Sequence, residues 1–314
     1  MEYLVTGGAG FIGSNMVRHL VAHNSKVRVL DDLSTGRMEN ICDLSDKIEF
    51  IKGDMRDTET VAKAVAGVRY IFHFGALPSV SRSVEDPLTS NQTNICGTLK
   101  LLIAARDAGV ERLMYSSSSS VYGNTEVLPK REDMVPMPLS PYAVQKLSGE
   151  YYCRIFHSLY GLKTFSLRYF NVYGPRQNPK SQYSAVIPLF IDALKNGRPP
   201  VIHGDGEQTR DFTFVQDVIN ANLACCSAPE KACGEVFNIA RCDRISINGL
   251  ADTIMNIMGV RIAPVHEKSR AGDVRDSQGD STKAANLLGW RSRTDLREGL
   301  GKTVAFYLGK STTN

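Results

Sequence analysis

Through its first half the chain alternates short apolar runs with longer stretches that are apolar at every third or fourth position. A run of four or five apolar residues reads as a buried strand, and spacing near 3.6 reads as a helix packed on it. The pattern predicts strands over residues 3–6, 26–30, 48–51, 70–74, 112–115 and 164–168, with helices over 14–22, 91–108 and 141–160. Such alternation implies an α/β fold with a doubly wound parallel sheet, whose ligands lie beyond the C-terminal ends of the strands. After residue 168 the pattern turns irregular: 171–179 and 197–206 are rich in Gly, Pro and Asn, and helical spacing returns over 215–226 and 247–258. No linker separates the halves. The expected organisation is a nucleotide-binding domain over 1–168 with a returning segment near 212–240, and a smaller interleaved α/β lobe of 169–211 and 241–314.

The loops after the strands carry the first chemistry. Gly7, Gly10 and Gly13 recur every third residue between the first strand and the first helix. Glycine is needed where backbone turns tightly, approaches a pyrophosphate, or lets a helix pack on its strand. The helix start that follows offers unpaired N–H groups to phosphates. By itself the triplet also fits a plain tight turn. The second strand, however, ends on Asp31 and Asp32, which can accept hydrogen bonds from ribose hydroxyls and would repel a 2′-phosphate. Those aspartates also suit the start of a polar turn, and Arg37 can approach a phosphate. Taken together the two loops point to a Rossmann-type domain that binds NAD rather than NADP, through Gly7, Gly10, Phe11, Ile12, Gly13, Asp31 and Asp32. Gly53-Asp54-Met55 after the third strand places Asp54 and Met55 beside the adenine.

Composition narrows the class. At 314 residues, 42% hydrophobic and 22% charged, this is ordinary globular protein. No apolar run approaches 18 residues and no basic leader with a cleavage site opens the chain, so neither a membrane span nor a secretory signal is expected. Seven scattered cysteines without a CxxC pair suggest reduced structural thiols and a cytoplasmic protein. A net charge of +4 without a basic block argues against nucleic acid and is compatible with a small anionic substrate. No metal site is expected.

Tyr142-Ala-Val-Gln-Lys146 puts a phenol and an ammonium four residues apart on one helix face. Alone, such a pair usually means an exposed helical surface. Here it follows Tyr115-Ser-Ser-Ser118 by 24 residues, and a hydroxyl at that strand end can share a substrate proton with the tyrosine. A free tyrosine, with a pKa near 10, is a poor base at neutral pH; the nearby lysine and a positive nicotinamide are expected to favour its phenolate.

With these residues in place the chain resembles the extended short-chain dehydrogenase/reductase superfamily over essentially its whole length. The likeness rests on Thr6-Gly-Gly-Ala-Gly-Phe-Ile-Gly13, Asp31, His73-Phe-Gly-Ala76, Val121-Tyr-Gly123, Tyr142 with Lys146, and Arg168-Tyr-Phe-Asn-Val-Tyr-Gly-Pro175. Within the superfamily it is most similar to nucleotide-sugar 4-epimerases of the UDP-glucose and UDP-N-acetylglucosamine kind. The resemblance implies Ser118, Tyr142 and Lys146 as catalytic residues, and adds Phe74, Gly75, Ala76 and Asn94 to the cofactor set. It further implies Asn171, Arg210 and Arg275 on the substrate diphosphate, and Val186-Ile-Pro188 with Gln177 along the uridine and sugar pocket. Ser79 and Arg82 fit either a contact with the sugar or a pair in solvent, and Pro78 departs from the lysine or glycine of some relatives. His73 is expected to hold its turn, and Trp290 to pack in the core or a lid. The family's usual dimer, built on the helix of Tyr142 and its neighbour, is compatible with Leu99, Leu101, Leu102, Tyr151, Tyr152 and Ile155, as is burial against the sheet.

Two positions refine the reaction that the resemblance implies. Related dehydratases and decarboxylases carry an acid just before Val-Tyr-Gly, where this chain has Ser119 and Ser120. A serine cannot supply a proton as a carboxylic acid does, so elimination is disfavoured and reversible C4 epimerisation through a transient 4-keto sugar remains. Matching Gly272–Asp280 to the region beside sugar C2 puts Ser277 where a tyrosine would exclude N-acetyl groups, unless it is only a displaced loop residue. The expected substrates are UDP-N-acetylglucosamine and UDP-N-acetylgalactosamine, with or without UDP-glucose and UDP-galactose. A UDP-glucuronate 4-epimerase, another dehydratase or reductase of the superfamily, and a non-catalytic NAD-binding regulator are the alternatives.

Overall fold

The computed structural model describes residues 1–179, 185–269 and 274–309. The first half runs β1 (Tyr3–Thr6), α1 (Phe11–Ala22), β2 (Val27–Asp31), β3 (Ile48–Lys52), α2 (Thr58–Val65), β4 (Tyr70–His73), α3 (Val80–Glu85), α4 (Pro87–Asn91), α5 (Thr98–Asp107), β5 (Arg112–Ser118), α6 (Pro141–Tyr160) and β6 (Lys163–Tyr169). There follow β7 (Val172–Tyr173), α7 (Val186–Lys195), β8 (Val201–His203), β9 (Thr209–Arg210), β10 (Thr213–Phe214), α8 (Val215–Cys226) and β11 (Val236–Ile239). The chain then forms β12 (Ile245–Ser246), α9 (Ile247–Met258), β13 (Val265–Glu267), α10 (Thr282–Leu288) and α11 (Leu296–Tyr307).

Seven strands form one parallel sheet in the order β11-β6-β5-β4-β1-β2-β3. Its central strands are apolar on both faces: Leu4, Val5, Ile71, Phe72, Leu113, Met114, Phe165 and Leu167 are fully buried. Two apolar clusters, one on each side, cover a sheet that has no solvent face. The chain reverses direction across the sheet between β1 and β4, which opens a crevice at their C-terminal ends.

Helix α6 shows how the site is held in place. Ser140 caps it, its Oγ accepting the Ala143 N–H at 3.2 Å; Pro141 opens it, and Gly161 ends it at φ 74°. These signals fix the height of Tyr142 and Lys146 above β5. The helix predicted over 91–108 is instead α4, a π-helical segment over Gln92–Gly97, and α5. Beyond β6, the lobe has only two-stranded pairings: β7 with β10, β9 with β12, β8 with β13. Of the apolar residues considered for a dimer, Leu101 and Leu102 are fully buried beneath the sheet helices, whereas Tyr151 and Ile155 stand exposed on α6. Trp290 is buried and its indole N–H donates to Asp217 O at 3.0 Å. All seven cysteines are free. Among the described residues no helix is long and apolar enough to cross a membrane.

Candidate active site

A cleft of about 630 Å³ follows the C-terminal ends of the central strands, from the glycine loop to Tyr142 and Lys146. Gly7 adopts φ +67°, and a Cβ there would stand 2.7 Å from Gly75 N, so the turn after β1 packs directly on the loop after β4. At Gly10 a Cβ would meet only Gly7 O, at 3.1 Å, and otherwise point into open space. That is a bare backbone face at a helix N-terminus, shaped for a diphosphate. Phe11, Ile12 and Gly13 complete this wall.

Asp31 is nearly buried, and its two oxygens accept the N–H groups of Ala9 (2.9 Å) and Leu33 (2.8 Å). It therefore holds the glycine loop while facing the cleft, and burial raises its carboxyl above the ordinary range against the pull of those donors. The Arg37 guanidinium pairs with Glu39 at 3.3 Å. Asp32, Asp54, Met55, Phe74, Gly75 and Ala76 also line the cleft. An acidic strand end, an open glycine face and a helix start are the donor and acceptor set that NAD requires.

His73 lies behind this wall. Thr98 Oγ1 spends its proton on Asn94 O (2.7 Å), so the imidazole Nε2–H donates to Thr98 Oγ1 (3.0 Å), and Nδ1 accepts from Thr6 Oγ1 (2.7 Å). Burial lowers the His73 pKa to about 3. The neutral ring ties β1 and β4 together, as expected of a turn holder.

At the other end of the cleft Ser116, Ser117, Tyr142 and Lys146 share one wall. Lys146 is buried and donates to Ser116 O at 2.7 Å, with Nζ 5.8 Å from the Tyr142 ring centre. Burial lowers its pKa to about 8. Burial pushes the Tyr142 phenol up to about 12, and the neighbouring Ser118 hydroxyl pulls the other way. Burial thus opposes the phenolate that the lysine and a positive nicotinamide are expected to favour. Ser118 ends β5, caps the next turn by accepting the Ser120 N–H at 3.2 Å, and does not line the cleft. Behind this wall Glu150 binds Arg168 through both oxygens (2.9 and 2.7 Å) and also accepts from Ser117. No acid stands at Ser119 or Ser120, and Glu150 is fully engaged.

A second cavity of about 240 Å³ meets the first at Gln177 and Ala185 and holds Asn171, Val186 and Arg210 on its wall. Ser79 and Arg82 line the main cleft, as does Pro78. Three predicted residues lie elsewhere. Asn94 is buried under the loop after β4, where its Oδ1 accepts the Leu77 N–H (2.8 Å) and its Nδ2 donates to Gln145 Oε1 (2.8 Å); the π-helical segment turns it inward. Arg275 pairs with Asp205 at 2.9 and 3.1 Å on the surface, outside both cavities. Ser277 is buried outside both cavities, its N–H bonded to Thr209 O at 3.1 Å. Gly272 and Asp273, the start of that stretch, lie outside the described residues.

Sequence reasoning missed three participants. Arg176 lines the main cleft, donates to Asn15 Oδ1 at 3.2 Å, and is lowered by burial to about 10. Asp211 gathers the N–H groups of Arg241, Cys242 and Gly279 at 3.0 to 3.1 Å, joining segments 30 to 68 residues apart. Gln208 lines the second cavity. Only the first had a signal, a cation beside the Tyr-Gly-Pro turn. His19, on α1, and His23, its C-cap, stand four residues apart with rings stacked 4.3 Å centre to centre, but no group of three metal ligands occurs among the described residues.

Residues 3–240 match the family model described as NAD dependent epimerase/dehydratase family. A UDP-glucose 4-epimerase of Mycolicibacterium smegmatis is 42% identical, covering 99% of this chain and 100% of the relative. A UDP-N-acetylglucosamine 4-epimerase of Methanobrevibacter ruminantium, solved with UDP-N-acetylmuramic acid, superposes with a TM-score of 0.94 at 39% identity over 98% of both chains. The UDP-glucose 4-epimerase of Thermotoga maritima, solved with UDP-glucose, gives 0.93 at 39% identity over 98% of this chain and 99% of that one. With its cleft, its glycine face and these relatives in agreement, the chain belongs to the NAD dependent epimerase/dehydratase family.

Proposed function

We propose that this enzyme reversibly inverts C4 of UDP-hexoses, with UDP-N-acetylglucosamine and UDP-N-acetylgalactosamine as one substrate pair and UDP-glucose and UDP-galactose as another. The observation that carries the reading is Tyr142 beside a pinned Lys146, on the wall of a cleft that begins at the glycine loop. When bound, NAD supplies a hydride acceptor and donor for C4. Tyr142 exchanges the proton at the sugar O4, and the neighbouring Ser118 hydroxyl supports the phenol in that role. Lys146, fixed on Ser116 O, keeps a positive charge in the wall without reaching the reacting oxygen. Burial raises the phenol, and a positively charged nicotinamide bound in the cleft would favour its phenolate, which would link proton transfer to an occupied site.

Serines at 119 and 120, together with the engagement of Glu150 by Arg168 and Ser117, leave no free carboxylic acid at these positions to expel a hydroxyl, which favours epimerisation over dehydration. Ser277 lines neither cavity; its segment pairs with Thr209, next to the cavity-lining Arg210, and through that contact a small residue there favours acceptance of N-acetyl sugars. The exposed Tyr151, Ile155 and Leu159 on α6 support a homodimer through that helix. Incubation with UDP-N-acetylglucosamine, UDP-galactose and UDP-glucuronate, without added reductant, tests the assignment. The C4 partners of the first two should form; conversion of UDP-glucuronate alone would replace it with the uronate reading.

A further inference from the structure

The turn Gly174-Pro175-Arg176, which leads out of β7 into the lobe, is fastened to the glycine-loop helix by one side chain. Asn15 stands one helical turn beyond Phe11 on α1, and its Nδ2 donates to Phe11 O (2.9 Å) and to Pro175 O (3.0 Å). Carbonyls accept only from the NH2 end, so the amide has a single orientation, and its Oδ1 receives the Arg176 Nη1–H at 3.2 Å. The guanidinium also lies over the Phe306 ring of α11, 5.2 Å from its centre. Arg176 holds φ +70°, a conformation that persists only where neighbours impose it, and here α1 and α11 do so.

So placed, Arg176 lines the main cleft and not the second cavity. Its charge is uncommitted: among the described residues no carboxylate pairs with it, and Asn15 Oδ1 is the one acceptor its guanidinium meets. The cations around it are engaged. Arg18 binds Asp43 at 2.8 Å, Arg37 pairs with Glu39, and Lys146, at the far end of the cleft, is spent on Ser116 O. A half-buried guanidinium without a counter-charge, facing a cleft, is a place for an anion. Asn15 leans back toward the start of α1, as helical side chains do, and so brings this charge to the end of the helix where the bare Gly10 face lies. We infer that Arg176 reaches from the lobe to the diphosphate of NAD, and that Asn15 is the residue that positions it there. The helix start offers N–H groups and a partial charge, whereas the guanidinium adds a full charge and a planar pair of donors for phosphate oxygens. The cofactor is then held by two parts of the molecule, the sheet-borne glycine loop and a turn of the lobe, and its release requires the Arg176 contact to break.

Exchange of the bound cofactor tests this without turnover or any sugar nucleotide. The NAD-loaded enzyme is mixed with excess NAD deuterated in the nicotinamide ring, and the bound fraction is followed by mass spectrometry at about 0.05 M and about 0.5 M salt. The wild type should exchange slowly, and faster in the higher salt. Arg176→Gln should exchange roughly tenfold to a hundredfold faster in low salt, the usual effect of losing a hydrogen bond to a charged group, and should lose most of the salt dependence. Arg176→Lys keeps the charge, so it should recover much of the retention and all of the salt dependence. Asn15→Ala frees the guanidinium without removing its charge and should speed exchange by less than Arg176→Gln. A glutamine variant that exchanges at the wild-type rate would overturn the assignment. Equal acceleration in the glutamine and lysine variants, with the salt dependence intact in both, would reduce Arg176 to a prop of its turn. Unchanged exchange with weakened binding of UDP would give the charge to the substrate's diphosphate instead. Should the glutamine variant not fold, Asn15→Ala decides: wild-type exchange there, or wild-type protein indifferent to salt, contradicts the inference.

Discussion

The cofactor wall and the substrate lobe are built by different means. In the cofactor wall, Thr6 pairs in register with Leu30 on one side and His73 on the other, and His73 pairs with Tyr115, so one row of the sheet sets the height of every loop that borders the cleft. Backbone, glycine and sheet register do the positioning. In the lobe, ladders of two or three residue pairs hold little, and the segments meet through side chains that bond distant backbone, chiefly Asp211 with Arg241, Cys242 and Gly279. A sheet-built wall tolerates loss of individual side chains but not an added Cβ. A lobe tied by a carboxylate should show the reverse sensitivity.

The largest effect expected is on chemistry itself. Tyr142→Phe removes the proton-transfer group and should lower turnover by about a hundredfold to ten-thousandfold while NAD content stays at the wild-type level. Near-normal turnover would place the acid/base elsewhere. The two building principles separate next. Gly7→Val forces a β-branched residue into φ +67° against Gly75 and should abolish NAD retention, measured by the nicotinamide released on denaturation. Asp211→Ala strips three N–H groups of their shared acceptor and should raise the sugar-nucleotide KM by roughly tenfold or more, with NAD retention nearly unchanged. Equal loss of NAD in both variants would erase the distinction. Ser277→Tyr should reduce kcat/KM for UDP-N-acetylglucosamine relative to UDP-glucose by about tenfold, read from competition between the two. An unchanged ratio removes Ser277 from the specificity account.

The smallest effect is a pH dependence. His73 is neutral in the folded protein down to about pH 3, but an unfolded histidine takes up a proton near pH 6.5. The unfolded state therefore binds the extra proton between these values, and stability falls with decreasing pH across that window, by at most about 1.4 kcal/mol per pH unit from this group. His73→Asn should flatten the dependence in denaturant unfolding at pH 4 to 6. An equally steep curve in the variant would assign the acid sensitivity to other groups.

The contrast between the two regions also explains what could be read from the chain. Helix α6 begins and ends where its signals place it, because Ser140, Pro141 and Gly161 act locally. The glycine loop and Asp31 were legible for the same reason. Helices α2 and α11 passed unnoticed although Asp57 and Asp295 cap them. Asn94 looked like a cofactor residue, and only the π-helical turn directs it to Leu77 and Gln145 instead. Arg275 looked like a phosphate ligand, and its partner Asp205 lies 70 residues away in sequence. Asp211 gave no local signal at all, because its role depends on backbone groups that only the fold brings near. The raised pKa of Tyr142 belongs to the same class: spacing reveals the lysine, but not the burial that overrides it.

The central claim is that one cleft removes and returns the same hydrogen at C4 while Tyr142 handles the proton. Incubating the enzyme with UDP-N-acetylglucosamine deuterated at C4 and following the C4 epimer by NMR and mass spectrometry tests it most directly. The account predicts UDP-N-acetylgalactosamine that keeps its C4 deuterium in ordinary water. An epimer that has exchanged the label with solvent, or no epimer from this or any other UDP-hexose, would contradict it.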